Sequence, residues 1–209
     1  MSLVLDAVKK PEEAIREACD VLIAGGVVII PTETVYGVAA LPTCKNAVKN
    51  IFERKKRSDD QACAVLVSNK AQSMNLVFPS ENFDLLSSNF WPGPLTLVTE
   101  RFSGLGYYLG GDKNFIGVRC PDHPLVQALA KNVGPLATTS ANRSGSSTPT
   151  DALEACEALG GDILTLDGGP CLGEPSTVVN LTPGKVCVIR EGALSIEELV
   201  SAGLKLEGR

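Results

Sequence analysis

Apolar residues along this chain fall at a helical period of about 3.6 in some segments and in short unbroken runs in others, and the two patterns alternate. Residues 11–24 predict a helix whose inward stripe is Ile15, Ala18 and Leu22, with Pro11 in its first turn and Gly25-Gly26 as its stop. Glu12 and Glu13 lie near the positive end of its dipole. Residues 27–30 read as a buried strand, and Thr43 is placed to cap a second helix in which Val48, Ile51 and Phe52 face inward. That helix runs into Lys55-Lys56-Arg57.

Further along, strands are expected at 64–67, 95–99, 116–119, 136–139, 163–166, 177–181 and 186–189. Helices are expected at 80–90 and 152–159, and after Asp122, which can cap one that has Pro124 in its first turn. Ser195 and Glu198 have the spacing of a capping box for a last short helix over 195–202. Helices and strands alternating in this way predict an α/β fold, a single domain over 1–209 with a twisted mixed sheet flanked by helices. Only the Ser/Gly/Thr/Pro loop at 144–149 is biased in composition.

At 209 residues the chain suits one well-filled core, and 44% hydrophobic with 21% charged residues is globular rather than disordered composition. A formal charge of -5 provides no overall positive field for nucleic acid or anionic membrane, so any anion site must be a local cluster. The uninterrupted apolar stretches, such as 27–30 and 62–67, are far short of the roughly 20 residues needed to span a bilayer. Lys9-Lys10-Pro11-Glu12-Glu13 leads into an amphipathic pattern, not a signal peptide. A cytoplasmic location is therefore expected, and seven irregularly spaced cysteines are expected to be reduced thiols.

The only histidine, His123, leaves no material for a Ser-His-Asp triad or a multi-histidine metal site. Between Asp122 and Pro124 it reads as solvent-facing or locally bonded. There is no Cys-x-x-Cys, no phosphate-binding P-loop, and Gly104-Leu-Gly106 lacks the third glycine of a dinucleotide fingerprint. Three polar stretches stand out instead: Pro31-Thr-Glu-Thr-Val-Tyr36-Gly37, Lys55-Lys56-Arg57 and Ser140-Ala141-Asn142. Each flanks an apolar run, so one cleft at strand ends could receive all three and hold a polyphosphate.

Lys55 and Arg57 offer a point charge and a planar fork for phosphate. Taken alone they are better read as a solvated helix end. Ser140 and Asn142 suit either a ligand contact or a turn. Arg119 and Arg190 close strands that should be buried, so each needs an anion, which an acidic side chain supplies as well as a ligand does.

Taken together, these residues resemble the threonylcarbamoyl-AMP synthases, the YrdC-like family. The resemblance covers about 21–192 and rests on the 31–37 stretch, Ile51-Phe52 leading to Lys55-x-Arg57, Trp91-Pro-Gly-Pro-Leu-Thr96, Gly117-Val-Arg-Cys-Pro121, Ser140-Ala-Asn142, Ser176-Thr-Val178 and Arg190. It implies a YrdC/RibB-like fold with a central concave cleft, in the short form without a C-terminal extra domain. It further implies a nucleotidyltransferase that makes threonylcarbamoyl-AMP and pyrophosphate from L-threonine, bicarbonate and ATP. Mg²⁺ would be bound mainly through the ATP phosphates.

By position, the resemblance makes Lys55, Arg57, Ser140 and Asn142 the catalytic set. Asp59, Thr148 and Arg190 join them around ATP, while Thr32, Arg119, Thr138 and Ser176 hold threonine. Implied partners are a downstream tRNA threonylcarbamoyl transferase machinery and a weak tRNA contact. The sequence departs from the family pattern at Ser58 and Ala62-Cys63, where prolines are common, at Leu66, where histidine is common, and at Lys56, where glycine is common. Two rivals are an RNA-binding module of the same fold and a paralogous enzyme with another substrate. The acidic charge speaks against the first, and retention of both cation and Ser-x-Asn pairs against the second.

Overall fold

The computed structural model describes residues 3–206, so 1, 2 and 207–209 of the expected single domain lie outside the described residues. Along the chain run β1 (Val4–Asp6), α1 (Pro11–Ile23), β2 (Val28–Ile30), β3 (Gly37–Ala40), α2 (Lys45–Lys55), β4 (Ala64–Leu66), α3 (Lys70–Ser73), α4 (Glu81–Phe90) and β5 (Leu95–Glu100). Then come β6 (Phe115–Arg119), α5 (Pro124–Val133), β7 (Leu136–Ser140), α6 (Ala152–Ala158), β8 (Leu164–Asp167), β9 (Thr177–Asn180), β10 (Cys187–Arg190) and α7 (Ile196–Ser201). The strands form one sheet in the order β1-β8-β2-β3-β7-β4-β6-β5-β9-β10. It is mixed, as expected: β4 and β6 are parallel, while β3 and β7 are antiparallel.

Side-chain alternation divides the interior between two faces of the sheet. Val28, Ile30, Ala39, Leu66 and Leu136 join α1 and α5 in one core cluster, and Ile29, Val38, Val65 and Ala137 join α2, α4 and α6 in the other. On the first face the helices cover only part of the sheet. Thr96, Val98, Gly117 and Val178, in the β6-β5-β9 part, line an open cavity instead of packing under a helix.

Two capping expectations are corrected. Helix α2 begins at Lys45 with Cys44 in the capping place and no side-chain cap, so Thr43 does not cap it. Helix α5 has His123 in that place, again with no side-chain cap, so Asp122 does not serve either. The expected Ser195–Glu198 capping box is present. Strands β1 and β3 and the single turn α3 were not among the sequence expectations. All seven cysteines are free thiols, and no helix of the described residues is long and apolar enough to cross a membrane.

Candidate active site

Strand pairing brings the distant polar stretches together. Gly37 of β3 lies opposite Ser140 of β7, and Leu66 of β4 lies opposite Arg119 of β6. Around them is a cavity of about 690 Å³ lined by Thr32, Arg57, Arg119, Thr138, Ser140, Thr148, Ser176 and Arg190, all expected site residues. Asp60, Thr96, Asp112 and the apolar Leu66, Val98, Phe115, Val178 and Ile189 complete much of its wall. Polarity changes along the strands. Arg119, Thr96 and Ser176 stand at one end, and Phe115 lies four residues before Arg119 on β6, roughly 13 Å away.

Arg57 reaches the cavity because of how α2 ends. Lys56 takes a left-handed conformation, φ 51°, and the Arg57 amide donates back to the Phe52 carbonyl at 2.9 Å. The Arg57 guanidinium then donates to the carbonyls of Gln61 (2.9 Å) and Ala62 (3.0 Å) and to Thr139 Oγ1 (3.3 Å), which ties down the 58–62 loop.

Lys55 behaves differently from Arg57. It is buried and absent from the cavity lining, with its Nζ donating to the carbonyls of Ser140 and Asn142, each at 2.5 Å. Burial, and then the charge of Arg57, push its ammonium down to about 8. Asn142 is buried beside it. Its Oδ1 accepts from Ser140 Oγ at 2.6 Å, and its Nδ2 donates to the Ser146 carbonyl at 2.7 Å. Lys55 and Asn142 therefore shape the loop that presents Ser140, and the solvated-terminus reading of Lys55 does not hold. Asp59 also lies off the cavity wall, exposed and accepting from Tyr108 Oη at 2.9 Å, while its neighbour Asp60 is on the wall.

Thr32 is on the wall, but its hydroxyl is already engaged. It donates to the Val35 carbonyl at 2.6 Å and accepts the amides of Thr34 and Val35, so its one proton is committed to the turn. With that proton assigned, the 2.8 Å contact between the two hydroxyls has Thr34 donating to Thr32. Thr34 in turn accepts from Arg119 Nη1 at 2.9 Å. On the other side, Ser176 Oγ meets Thr96 Oγ1 at 2.9 Å, and Arg190 donates to the Ser176 carbonyl at 2.8 Å. Arg190 is exposed as a residue although its guanidinium rests on Ser176. Desolvation there, followed by the charges of Arg119 and Arg57 on the same cavity, lowers its pKa.

Sequence reasoning missed Glu33, whose Oε1 is 2.8 Å from Arg119 Nη2, and Thr34 and Thr96, which bond to expected site residues. The signal was present for Glu33 and Thr34, inside the 31–37 stretch. Cys63 lines the cavity, but burial pushes its thiol up to about 11, which keeps it protonated at neutral pH. His123, expected to face solvent or bond locally, is half-buried, and its Nδ1 has no partner among the described residues.

Residues 20–192 match the model of the Sua5/YciO/YrdC family, described as "Telomere recombination". The chain belongs to this family. It is 35% identical over 204 residues to the threonylcarbamoyl-AMP synthase of Pyrococcus abyssi, covering 95% of this chain and 60% of that protein. It is also 35% identical over 201 residues to the Bacillus subtilis protein of the same name, covering 94% and 58%. The chain thus spans about three fifths of the length of these two relatives. Among solved Sua5/YciO structures, P. abyssi Sua5 complexed with L-threonine superimposes with a TM-score of 0.84 at 34% identity, over 92% of this chain and 58% of that one. Escherichia coli YciO gives 0.81 at 26% identity, over 90% and 93%.

Proposed function

We propose that this chain is an L-threonylcarbamoyladenylate synthase acting in threonylcarbamoyladenosine modification of tRNA. The observation that carries this reading is the convergence of Arg57, Arg119 and Arg190 with the Thr138, Ser140 and Ser176 side chains on one cavity. It is supported by the names of the P. abyssi and B. subtilis relatives and by the L-threonine bound to P. abyssi Sua5. The threonine amine bonds to the carbon of bicarbonate, and water leaves to give a carbamate. A carbamate oxygen then bonds to the α-phosphorus of ATP, the α–β bridging bond breaks, and pyrophosphate carries away the electron pair. Because the carbamate is the nucleophile, no serine, cysteine or histidine has to be activated.

Catalysis then rests on positioning and on charge stabilisation. Arg119 binds the threonine carboxylate as a fork, with Thr32, Thr138 and Ser176 around it. Arg57 and Arg190 take phosphate oxygens, with Ser140 and Thr148 beside them. Lys55 and Asn142 support this from below by fixing the Ser140 loop, and Asp59 borders the ATP side through the loop that Arg57 holds. Among the described residues no cluster of three His, Cys, Asp or Glu suits a metal, whereas Asp60 and Asp112 are on the wall. That donor set fits Mg²⁺ carried in by the triphosphate better than a resident ion. When bound, Mg²⁺ supplies charge neutralisation at the phosphate oxygens.

The product is a mixed anhydride that water destroys, so the tRNA threonylcarbamoyl transferase machinery must take it quickly. A cytoplasmic location and a weak tRNA contact accompany that role. Purified protein given ATP, Mg²⁺, bicarbonate and threonine is expected to release pyrophosphate only when threonine is present. Release that is independent of the amino acid rejects the proposal. Arg57→Ala is expected to lower turnover by about 100-fold or more with the fold retained, the thermal midpoint falling modestly because the hydrogen bonds to Gln61, Ala62 and Thr139 are lost.

A further inference from the structure

Arg119 is only 6% exposed, and two of its donors are committed: Nε to the Gly93 carbonyl at 3.1 Å and Nη1 to Thr34 Oγ1 at 2.9 Å. Nη2 has Glu33 Oε1 2.8 Å away, yet neither atom makes a hydrogen bond of proper geometry, and Glu33 Oε2 is also buried without a partner. The pair balances charge without saturating the guanidinium, which keeps N–H groups for an incoming carboxylate.

Among the described residues Glu33 has no other countercharge. The groups facing it from neighbouring elements are Cys120, His123 and Cys171, and all three are held neutral at neutral pH. Burial pushes the Cys120 thiol up to about 11, raises Cys171 and lowers His123. Nor does Glu33 line the cavity. Its ion pair connects it to the cavity through Arg119, which does line it.

We infer that Glu33 is a positioning residue: its carboxylate fixes the pose of the Arg119 fork that receives the substrate carboxylate. This rests on the function proposed above. Without Glu33 the buried guanidinium would have no countercharge and would turn toward other acceptors. The opposite role, a carboxylate that competes with substrate for Arg119, makes the opposite kinetic prediction.

The test uses the full chain with Glu33→Gln and Glu33→Asp, and measures pyrophosphate release against threonine and ATP separately. Glu33→Gln is expected to raise the KM for threonine by about tenfold or more, with the KM for ATP within twofold and kcat little changed. Glu33→Asp should recover part of the loss, and it carries the same comparison should the glutamine variant not fold. An unchanged or lower threonine KM overturns the inference, as does a parallel rise in both KM values that follows a fallen thermal midpoint. If the wild-type protein shows no threonine-dependent turnover, the functional reading fails, and a double-mutant cycle then decides the pairing. Glu33→Gln combined with Arg119→Gln should melt higher than Glu33→Gln alone. Additive losses reject the inference.

Discussion

Lys55 takes its charge into the interior, which ties the Ser140 loop to pH. Its ammonium is pushed down to about 8, against an ordinary 10.5 in the unfolded chain. Between those values the unfolded chain holds a proton that the folded protein has shed, so this group makes folding more favourable as pH rises through that window. The difference in urea midpoint between wild type and Lys55→Met should therefore change in favour of wild type from pH 8 to 10. A difference that is flat with pH rejects the shift. In the sequence Lys55 and Arg57 look like equal members of one cluster, yet they separate in the fold. Lys55 continues the inward stripe of Val48, Ile51 and Phe52 at helical spacing, so its burial was legible from period alone. The direction of Arg57 was not, because it depends on the backbone of the residue before it.

That backbone is the left-handed Lys56 at the end of α2, the one non-glycine residue with positive φ among the described residues. Glycine adopts this conformation at no steric cost, whereas another residue loses about 1 kcal/mol or more. Lys56→Gly is therefore expected to raise stability by about 1 kcal/mol with activity retained, and a lower thermal midpoint would contradict this. Gly192 gives the reverse case. A Cβ there would stand 2.1 Å from the Pro175 carbonyl oxygen, so Gly192→Ala should be strongly destabilising, because backbone cannot yield as a side chain can. By contrast, a Cβ on Gly117 meets nothing closer than 3.5 Å, so Gly117→Ala should fold normally. Strong periods such as those of α1 and α5 were legible from sequence. Strand β3 was not, because Gly37-Val-Ala-Ala40 is built from small residues whose value is close approach. A Cβ on Gly37 would sit 2.8 Å from Thr138 Cγ2 of the neighbouring β7.

The chain carries a formal charge of -5, but Arg57, Arg119 and Arg190 converge on one cavity, so attraction for anions is local. Eight of the residues singled out from sequence line that cavity, whereas Lys55, Asp59 and Asn142 do not. The order of the strands that brings them together depends on long-range pairing, as of β4 between β7 and β6, and no local pattern encodes it. A shared cavity of about 690 Å³ has an energetic consequence. In the proposed reaction, a triphosphate near Arg57 and Arg190 should draw the cationic field away from the end proposed to hold threonine, while ordering the Ser140 loop and excluding water there. The ordering contribution favours a second ligand, the loss of field disfavours an anionic one, and threonine as a zwitterion is nearly indifferent to the field. Positive coupling is thus expected, with a non-hydrolysable ATP analogue tightening threonine binding about tenfold and threonine tightening the analogue by the same factor. Calorimetric titrations in both orders measure it. Arg119→Ala should abolish the threonine isotherm and leave the analogue's affinity within a few fold. Threonine affinity that is blind to a saturating analogue would reject the expected coupling.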